Sequence, residues 1–130
     1  MPTAFRWFMI LGGVSAAIGV AFAAAAAHAW KTSLTGYGGE LFHTALQYHQ
    51  YHALGLMLVG LAAAHWPQSR WFVWSGWLMF AGTLIFSGNL YLRSLAGFND
   101  LHAITPYGGG ALILSWALFA VGAFRASRGQ

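Results

Sequence analysis

The spacing of the charged residues constrains this chain more than any other feature of its sequence. Six basic and two acidic residues are the only charges among 130. They leave four charge-free windows, at 7–30, 41–69, 71–92 and 101–124. A helix needs about 20 apolar residues to cross the ~30 Å hydrocarbon core of a bilayer. Each window is long enough for one such helix and too short for two, so the sequence predicts four transmembrane spans.

The composition excludes several classes of protein. Charged residues make up 6% of the chain, against about 25% in a typical soluble domain, so a soluble globular enzyme is not expected. The basic residues are spread singly and form no cluster, which excludes a nucleic-acid interface. The chain contains no cysteine, and its two acids, Glu40 and Asp100, lie between windows. We therefore expect no thiolate metal site, no paired-carboxylate chemistry inside the membrane and no enzymatic activity.

Helix-breaking residues and polar segments set the limits of the predicted spans. Pro67 lacks a backbone N–H and marks the end of span two. Thr105 and Pro106 are typical of an N-cap followed by a first-turn proline, and predict the start of span four. The Gly-rich segment 31–40 is predicted to be a loop. The predicted fold class is all-α, with residues 1–130 forming one transmembrane four-helix bundle. Its spans are expected at about 5–29, 41–64, 71–92 and 105–124.

The first window also has features of a secretory signal peptide. A basic residue precedes an apolar stretch, and an A-x-A motif stands at 27–29. The apolar run from Trp7 to Ala27 is longer than the apolar region of such a leader, so we expect a retained first span. Small residues that recur every four positions predict a close helix-packing face on this span: Ser15, Gly19, Ala23 and Ala27.

The distribution of the basic residues predicts the orientation in the membrane. Cytoplasmic loops of membrane proteins carry an excess of Lys and Arg. With the N-terminus inside, the inner side holds four basic residues and no acid, namely Arg6, Arg70, Arg125 and Arg128. The outer side then holds two of each sign: Lys31, Arg93, Glu40 and Asp100. The sequence therefore predicts that both termini are cytoplasmic.

Uncharged polar side chains show the opposite asymmetry, because they concentrate in the predicted outer half of the bundle. We interpret eight of them as candidates for a polar pocket that opens outward: His28, Gln47, His49, His52, Ser87, Asn89, Arg93 and Thr105. Gln50 and His102 fall in the same half. Span two carries polar residues on two faces, which predicts a central position in the bundle or at an oligomer interface.

His52 is the candidate that lies deepest. At 1.5 Å per residue it is about 15 Å below Phe42, near the bilayer midplane. An unsatisfied polar group at that depth costs several kcal/mol, so His52 is expected to face protein or a wet cavity. A hydrogen-bonded packing role is the simpler interpretation. The alternative is that His28 and His52 together bind haem or a metal ion.

Three segments of the chain resemble a known family. They are Thr-Ala-Leu-Gln-Tyr-His-Gln-Tyr-His-Ala-Leu at 44–54, Leu-Ile-Phe-Ser-Gly-Asn-Leu-Tyr at 84–91 and Ile-Thr-Pro-Tyr-Gly-Gly at 104–109. Together they are similar to the small four-span inner-membrane proteins of the YgdD type, which are related to transmembrane protein 256 of animal cells. The resemblance implies four transmembrane helices and a location in the bacterial inner membrane. It implies no activity.

The family pattern also bears on individual residues. The resemblance places His28, Gln47, Tyr48, His52, Ser87 and Thr105 at family positions, together with Phe86, Gly88, Leu90, Tyr91, Pro106, Gly108 and Gly109. The chain departs from the pattern at Ala23 to Ala27, where similar proteins tend to have glycines, and at His49, which is not part of the pattern. On this basis His28 and His52 are favoured over His49 as functional residues.

Three functions remain open on the sequence. The first is a non-enzymatic structural, accessory or binding component of the membrane, in contact with the lipid bilayer and assembled as a homo-oligomer or with a membrane-complex partner. The second is a redox protein that holds haem or a metal at His28 and His52. The third is a transporter of a small solute or proton, which in so short a chain requires an oligomer to enclose a pathway.

Overall fold

The computed structural model describes residues 2–129, and in that range it contains four long α-helices and no strand. The helices are α1 (Thr3–Ala27), α2 (Gly36–His65), α3 (Arg70–Leu95) and α4 (Thr105–Ser127). A short 3-10 helix, His102–Ile104, runs directly into α4. Short connections make successive helices antiparallel neighbours, with α1 packed on α2, α2 on α3 and α3 on α4. The all-α bundle predicted from the sequence is confirmed.

The helices differ in how well they suit a membrane. Within residues 2–129, three segments are long and apolar enough to cross it, namely Thr3–Ala27, Arg70–Leu95 and His102–Ser127. The 30-residue α2 is not among them, since it carries Glu40 and several His and Gln residues. It is also the helix with the most buried residues. Of its polar side chains, His49 and His52 are buried between neighbouring helices. The passage of α2 through the membrane as a fourth span stays a prediction.

Two helix limits differ from the sequence prediction. α2 begins at Gly36, so the second half of the segment predicted to be a loop is already helical. Gly36 has φ +60°, which reverses the chain at that point. Thr105 is not an N-cap: it has helical angles, φ −54° and ψ −45°, and its N–H bonds the carbonyl of His102. The preceding 3-10 turn supplies the start of α4, and Pro106 lies in the first turn as predicted.

The four helices do not form a closed square. Phe8 of α1 packs over Gly60 of α2 and Gly76 of α3. Trp116 of α4 packs over Gly55 on α2. No comparable packing joins α1 to α4 in the described part of the chain. The pair α2 and α3 is therefore central and is flanked by α1 and α4, which fits the predicted central position of span two.

The apolar core lies towards the end of the bundle that holds residues 2 and 129, which we call the terminal end. Phe8, Phe72 and Met79 are fully buried there, together with Leu56, Val59, Ala63 and Leu112. The opposite end, with the connections 28–35 and 96–104, is called the loop end. Phe8 brings α1 against α3 near the terminal end, and a groove lies between the two helices from there to the contact of Phe22 with Tyr91. This groove leaves space around the polar residues of α2.

Candidate functional site

The centre of the candidate site is the middle of α2. His49 and His52 lie within a turn of each other near the midpoint of Gly36–His65. Their side chains are 6% and 4% exposed, so both imidazoles are taken out of solvent and lipid. Buried polar groups need hydrogen-bond partners, and a helix bundle in lipid has to supply them from its own residues. The partners of the two rings therefore define what the site can do.

His49 joins α1, α2 and α3. Its Nε2–H donates to the carbonyl oxygen of Ser15 over 2.8 Å, since a carbonyl can only accept. Because a buried charge without a counterion is costly, the ring is taken as neutral, and its Nδ1 then accepts from the hydroxyl of Tyr91 over 2.7 Å. The ring is neutral in this arrangement and both of its nitrogens are engaged. His49 therefore ties three helices together, although it lies outside the family pattern.

His52 has the opposite tautomer. Its Nδ1–H donates to the carbonyl oxygen of Tyr48, one turn earlier on α2, over 2.7 Å. Its Nε2 accepts from the indole Nε1–H of Trp116 over 2.9 Å. This ring is also neutral, with no free lone pair. The bond from Trp116 connects α4 to the middle of α2, so the two histidines together link all four helices.

The geometry does not favour a metal or haem held by His28 and His52. Ser15 bonds His49 and Gly12 faces Ala53, so His52 is level with about residue 14 of α1. His28 is exposed at the end of α1, roughly 20 Å further along the helix axis. The structure does not bring the two rings together. Within residues 2–129 no group of three or more His, Cys, Asp or Glu side chains is arranged to hold a metal ion.

Three other predicted pocket residues hold helices or a loop in place. The Ser87 hydroxyl donates to the carbonyl of Ala45 over 2.9 Å and so pins α3 to α2. Asn89 Nδ2 donates to the carbonyl of Leu101. Arg93 Nε donates to Asn99 Oδ1 over 3.2 Å. The last two bonds fasten the connection between α3 and α4.

Two buried polar atoms in this region have no partner within residues 2–129, namely the Asn89 Oδ1 acceptor and the Thr105 Oγ1 hydroxyl. Both belong to the junction between α3 and α4, where Asn89 also bonds the loop. His102, the other histidine of this segment, is exposed and bonds the carbonyl of Asn99. Thr105, Asn89 and His102 therefore lie at the loop end of the bundle, away from the two buried histidines.

Two grooves meet at His52. The first, of about 340 Å³, lies between α1 and α3 and has His49, His52 and Leu56 on its floor. The hydroxyls of Thr83, Ser87 and Tyr91 in its lining are already hydrogen-bonded. The rest of the lining is mostly apolar, with Leu11, Val14, Ile18, Phe80 and Leu84. We call it the apolar groove.

The second groove, of about 450 Å³, lies between α2 and α4 over Phe86 of α3. We call it the aromatic groove. Its defining residues are Gln47, Tyr48, Tyr51, His52, Phe86 and Trp116. The rings of Tyr51 and Trp116 are 6.0 Å apart, and the Tyr48 ring is stacked on His52 at 12°. Of the predicted pocket residues, the structure brings Gln47 and His52 together here, and places His28 and Thr105 elsewhere.

Sequence reasoning missed Trp116 and did not pair Tyr91 with His49. A signal for Trp116 was present, because it lies in the middle of a span, far from the interfacial levels that tryptophans prefer. An indole N–H at that depth needs an acceptor. Ser75 was missed as well: its hydroxyl donates to the carbonyl of Ser115 over 2.7 Å, and both serines are fully buried. That bond holds α3 against α4 nearer the terminal end.

Comparison with known proteins identifies relatives over almost the whole chain. The family described as "Protein of unknown function (DUF423)" matches residues 22–109. The UPF0382 membrane protein YwdK of Bacillus subtilis is 41% identical over 118 residues, which cover 91% of this chain and 96% of that protein. The UPF0382 inner membrane protein YgdD of Escherichia coli K12 is 35% identical over 124 residues, or 95% and 93% of the two chains. No solved structure matches. The family resemblance seen in the sequence is confirmed.

Proposed function

This chain belongs to the DUF423 family as a multi-pass protein of the bacterial inner membrane, and we propose that it is a non-enzymatic component that binds a neutral amphiphile in the aromatic groove. The groove lies between α2 and α4 and includes His52, the deepest of the predicted site residues. Its ligand enters from the side of the bundle, with its head beside α2 and its apolar part along α4.

The observation that carries this proposal is that three polar side chains of the groove have no hydrogen-bond partner in the described part of the chain. Gln47, Tyr48 and Tyr51 line the groove with one amide and two hydroxyl groups. None of these side-chain groups is hydrogen-bonded within residues 2–129, whereas both nitrogens of His52 are. Tyr51 lies at the midpoint of α2, where the bilayer offers almost no water. Unsatisfied groups at that depth cost several kcal/mol each, so a bound molecule that accepts their hydrogen bonds is favoured.

The residues that line the groove also indicate the chemical class of the ligand. No residue of the groove is charged, so neither an anion nor a cation has a counterion there. The available groups are one amide and two hydroxyls, and carbonyl or ether oxygens are natural acceptors for their N–H and O–H donors. The rings of Tyr48, Phe86 and Trp116 favour a flat or aromatic head, since aromatic groups pair by stacking or by edge-to-face contact. A volume of about 450 Å³ suits such a head and leaves an alkyl tail outside among the lipids.

The same geometry supports a binding role over a catalytic one. Both buried histidines are neutral with every nitrogen engaged, so neither is poised as a general acid or base. The two carboxylates, Glu40 and Asp100, are exposed and lie at the loop end. The groove therefore offers recognition groups without a nucleophile or a proton-transfer pair.

Mass spectrometry of extracted ligands tests the proposal. The wild-type protein and a Gln47→Leu/Tyr51→Phe variant are purified from membranes in a mild detergent, and bound molecules are extracted into organic solvent. We expect one neutral amphiphile close to one per chain in the wild type, reduced about tenfold in the variant by the loss of two hydrogen bonds. Tyr107→Phe is the control, because Tyr107 is 76% exposed and outside the groove. Equal amounts of every extracted molecule in all three proteins contradict the proposal.

A homo-oligomer is the second candidate, and it uses the same side of the molecule. Tyr51, Tyr107 and Ile113 on α2 and α4 are 64%, 76% and 74% exposed. A second copy on this face would cover them and satisfy the free donors of the groove. The absence of cysteine allows a clean cross-linking test. Ile113→Cys is expected to form a disulfide dimer in membranes, while Val20→Cys, 65% exposed on the opposite flank, is not. Equal cross-linking at both positions counts against a specific dimer.

A further inference from the structure

A second polar cleft lies at the terminal end of the bundle, far from the aromatic groove. It has a volume of about 220 Å³ and is formed where α3 begins and α4 ends. Its lining includes two arginines, Arg70 on α3 and Arg125 on α4, together with Gln68, Ser69 and Trp71. Two cations that face one cleft repel each other. Their convergence therefore calls for an anion between them.

No side chain of the protein supplies that anion. Its only acids are Glu40 and Asp100, and both lie at the loop end, about 35 Å or more from the cleft at the rise of an α-helix. The four basic residues of the terminal end are thus uncompensated by any side chain: Arg6, Arg70, Arg125 and Arg128. The net charge of +4 is concentrated where the cleft is.

The cleft is also ordered for recognition of an anion. The guanidinium of Arg125 lies 5.4 Å from the ring centroid of Trp71, a cation–π contact that fixes its position. Ser69 precedes α3 without a capping hydrogen bond from its side chain. The first backbone N–H groups of α3 therefore point from the helix N-terminus at the same cleft as the arginines, with the positive end of the helix dipole.

We propose that this cleft binds the phosphate group of an anionic phospholipid. Guanidinium groups bind phosphate oxygens in a bidentate manner, and a helix N-terminus adds further donors. Trp71 is half-buried beside Arg125, at the level where tryptophans meet the lipid headgroups. The site is independent of the aromatic groove and of the neutral ligand proposed there. It gives the protein one headgroup contact at a fixed place, in addition to general attraction to an anionic membrane surface.

Titration with defined lipids tests this site. The purified protein in neutral detergent is mixed with phosphatidylglycerol or phosphatidylcholine, and bound lipids are counted by native mass spectrometry. We expect one tightly bound phosphatidylglycerol and no equivalent phosphatidylcholine. Arg70→Gln and Arg125→Gln should each lower the affinity for phosphatidylglycerol about tenfold, the loss expected for a charged hydrogen-bonded contact. Both side chains are exposed, so the variants are expected to fold.

Arg128→Gln is the matched control, because it removes the same charge from the same end. Arg128 is not part of the cleft, and its guanidinium lies over Phe124. Arg70→Lys keeps the charge but loses the planar fork, and is expected to bind several-fold more weakly. If Arg128→Gln weakens binding as much as Arg70→Gln, attraction is diffuse and the proposal is wrong.

A second arm separates a lipid headgroup from free phosphate. Inorganic phosphate at millimolar concentration is added at constant ionic strength, with sodium chloride as the reference. Retention of phosphatidylglycerol supports the lipid site, because the acyl chains add contacts that free phosphate lacks. Displacement by phosphate, together with loss of that competition in Arg70→Gln, identifies a soluble phosphate site and overturns the assignment to a lipid.

Discussion

Trp116 donates its indole hydrogen to Nε2 of His52 over 2.9 Å, across 64 positions of sequence and from α4 to the midpoint of α2. This bond fixes the tautomer of His52, because Nδ1–H is already committed to the Tyr48 carbonyl. It also forms one wall of the aromatic groove, which both residues line. Helix packing and the shape of the aromatic groove thus depend on the same pair.

Replacement of Trp116 by Phe tests how much this hydrogen bond contributes to the free energy of unfolding. The variant leaves Nε2 of His52 without a donor in a buried position, and part of the indole volume is lost as well. We expect the free energy of unfolding in detergent micelles to fall by about 2 kcal/mol, measured by denaturant titration of the purified protein. Trp74→Phe is the control, since Trp74 is 63% exposed. Equal losses for the two variants indicate that the bond contributes nothing of its own.

Coupling between His49 and Tyr91 is a second prediction. The Tyr91 hydroxyl donates to His49 Nδ1 over 2.7 Å, between α3 and α2. A double-mutant cycle with Tyr91→Phe and His49→Leu should therefore be non-additive, with a coupling energy of about 1 kcal/mol. The same cycle with His49→Leu and Tyr107→Phe should give a value near zero, because Tyr107 is exposed. Full additivity in the first cycle contradicts the hydrogen bond.

Most of the fold follows from the charge pattern, while the site depends on information that the pattern lacks. Charge-free windows of about 20 residues or more are long enough for one transmembrane helix each, and the structure has a helix in each of the four windows. Which residue of α4 meets His52 depends on the register between helices, and helical periodicity leaves that register open. Trp116 was missed for this reason. The bonds of His49 to two neighbouring helices were not predicted for the same reason, and His49 lies outside the family pattern.

The limits of α2 and the position of His28 also differ between the sequence prediction and the structure. Segment 31–40 reads as a loop because it is polar and rich in glycine, and the structure extends α2 into it because Gly36 makes the turn earlier. His28 matches the family pattern, but it is exposed at the end of α1 and does not reach the level of His52. The alternative that the protein transports a small solute or proton as an oligomer stays a prediction.

The contact between Phe8 and Gly76 gives a third prediction. A Cβ added at Gly76 overlaps the ring of Phe8, which is fully buried against it. Gly76→Ala should therefore lower the free energy of unfolding by about 2 kcal/mol through overpacking. Gly13→Ala should raise it by about 0.5 kcal/mol, because a Cβ there meets nothing and alanine favours the helix. Phe8→Leu combined with Gly76→Ala should recover part of the loss. A neutral Gly76→Ala variant shows that the two helices are less closely packed.

Spectroscopy of the purified protein addresses haem and metal. Every ring nitrogen of His49 and His52 is engaged, so coordination requires the loss of a hydrogen bond with Trp116, Tyr48, Ser15 or Tyr91. We expect no Soret absorption and less than about 0.1 metal per chain, since a ligand nitrogen must have its lone pair free. His28→Ala is expected to leave the unfolding free energy within about 0.5 kcal/mol, as for other exposed positions. A Soret band that disappears in His52→Ala supports the redox interpretation instead.

Thiol labelling of the intact membrane decides whether α2 crosses it and which side holds the terminal end. Single cysteines are introduced into the cysteine-free chain at four exposed positions: Thr32, Gln68, Asn99 and Ser127. Because α2 joins the connections that carry Thr32 and Gln68, these two sites label from opposite sides only if α2 spans the bilayer. A membrane-impermeant maleimide added to spheroplasts should react at positions 32 and 99 and spare positions 68 and 127, since the terminal end holds the uncompensated arginines. Equal labelling of positions 32 and 68 shows that α2 does not cross, and the reverse pattern at all four sites inverts the predicted orientation.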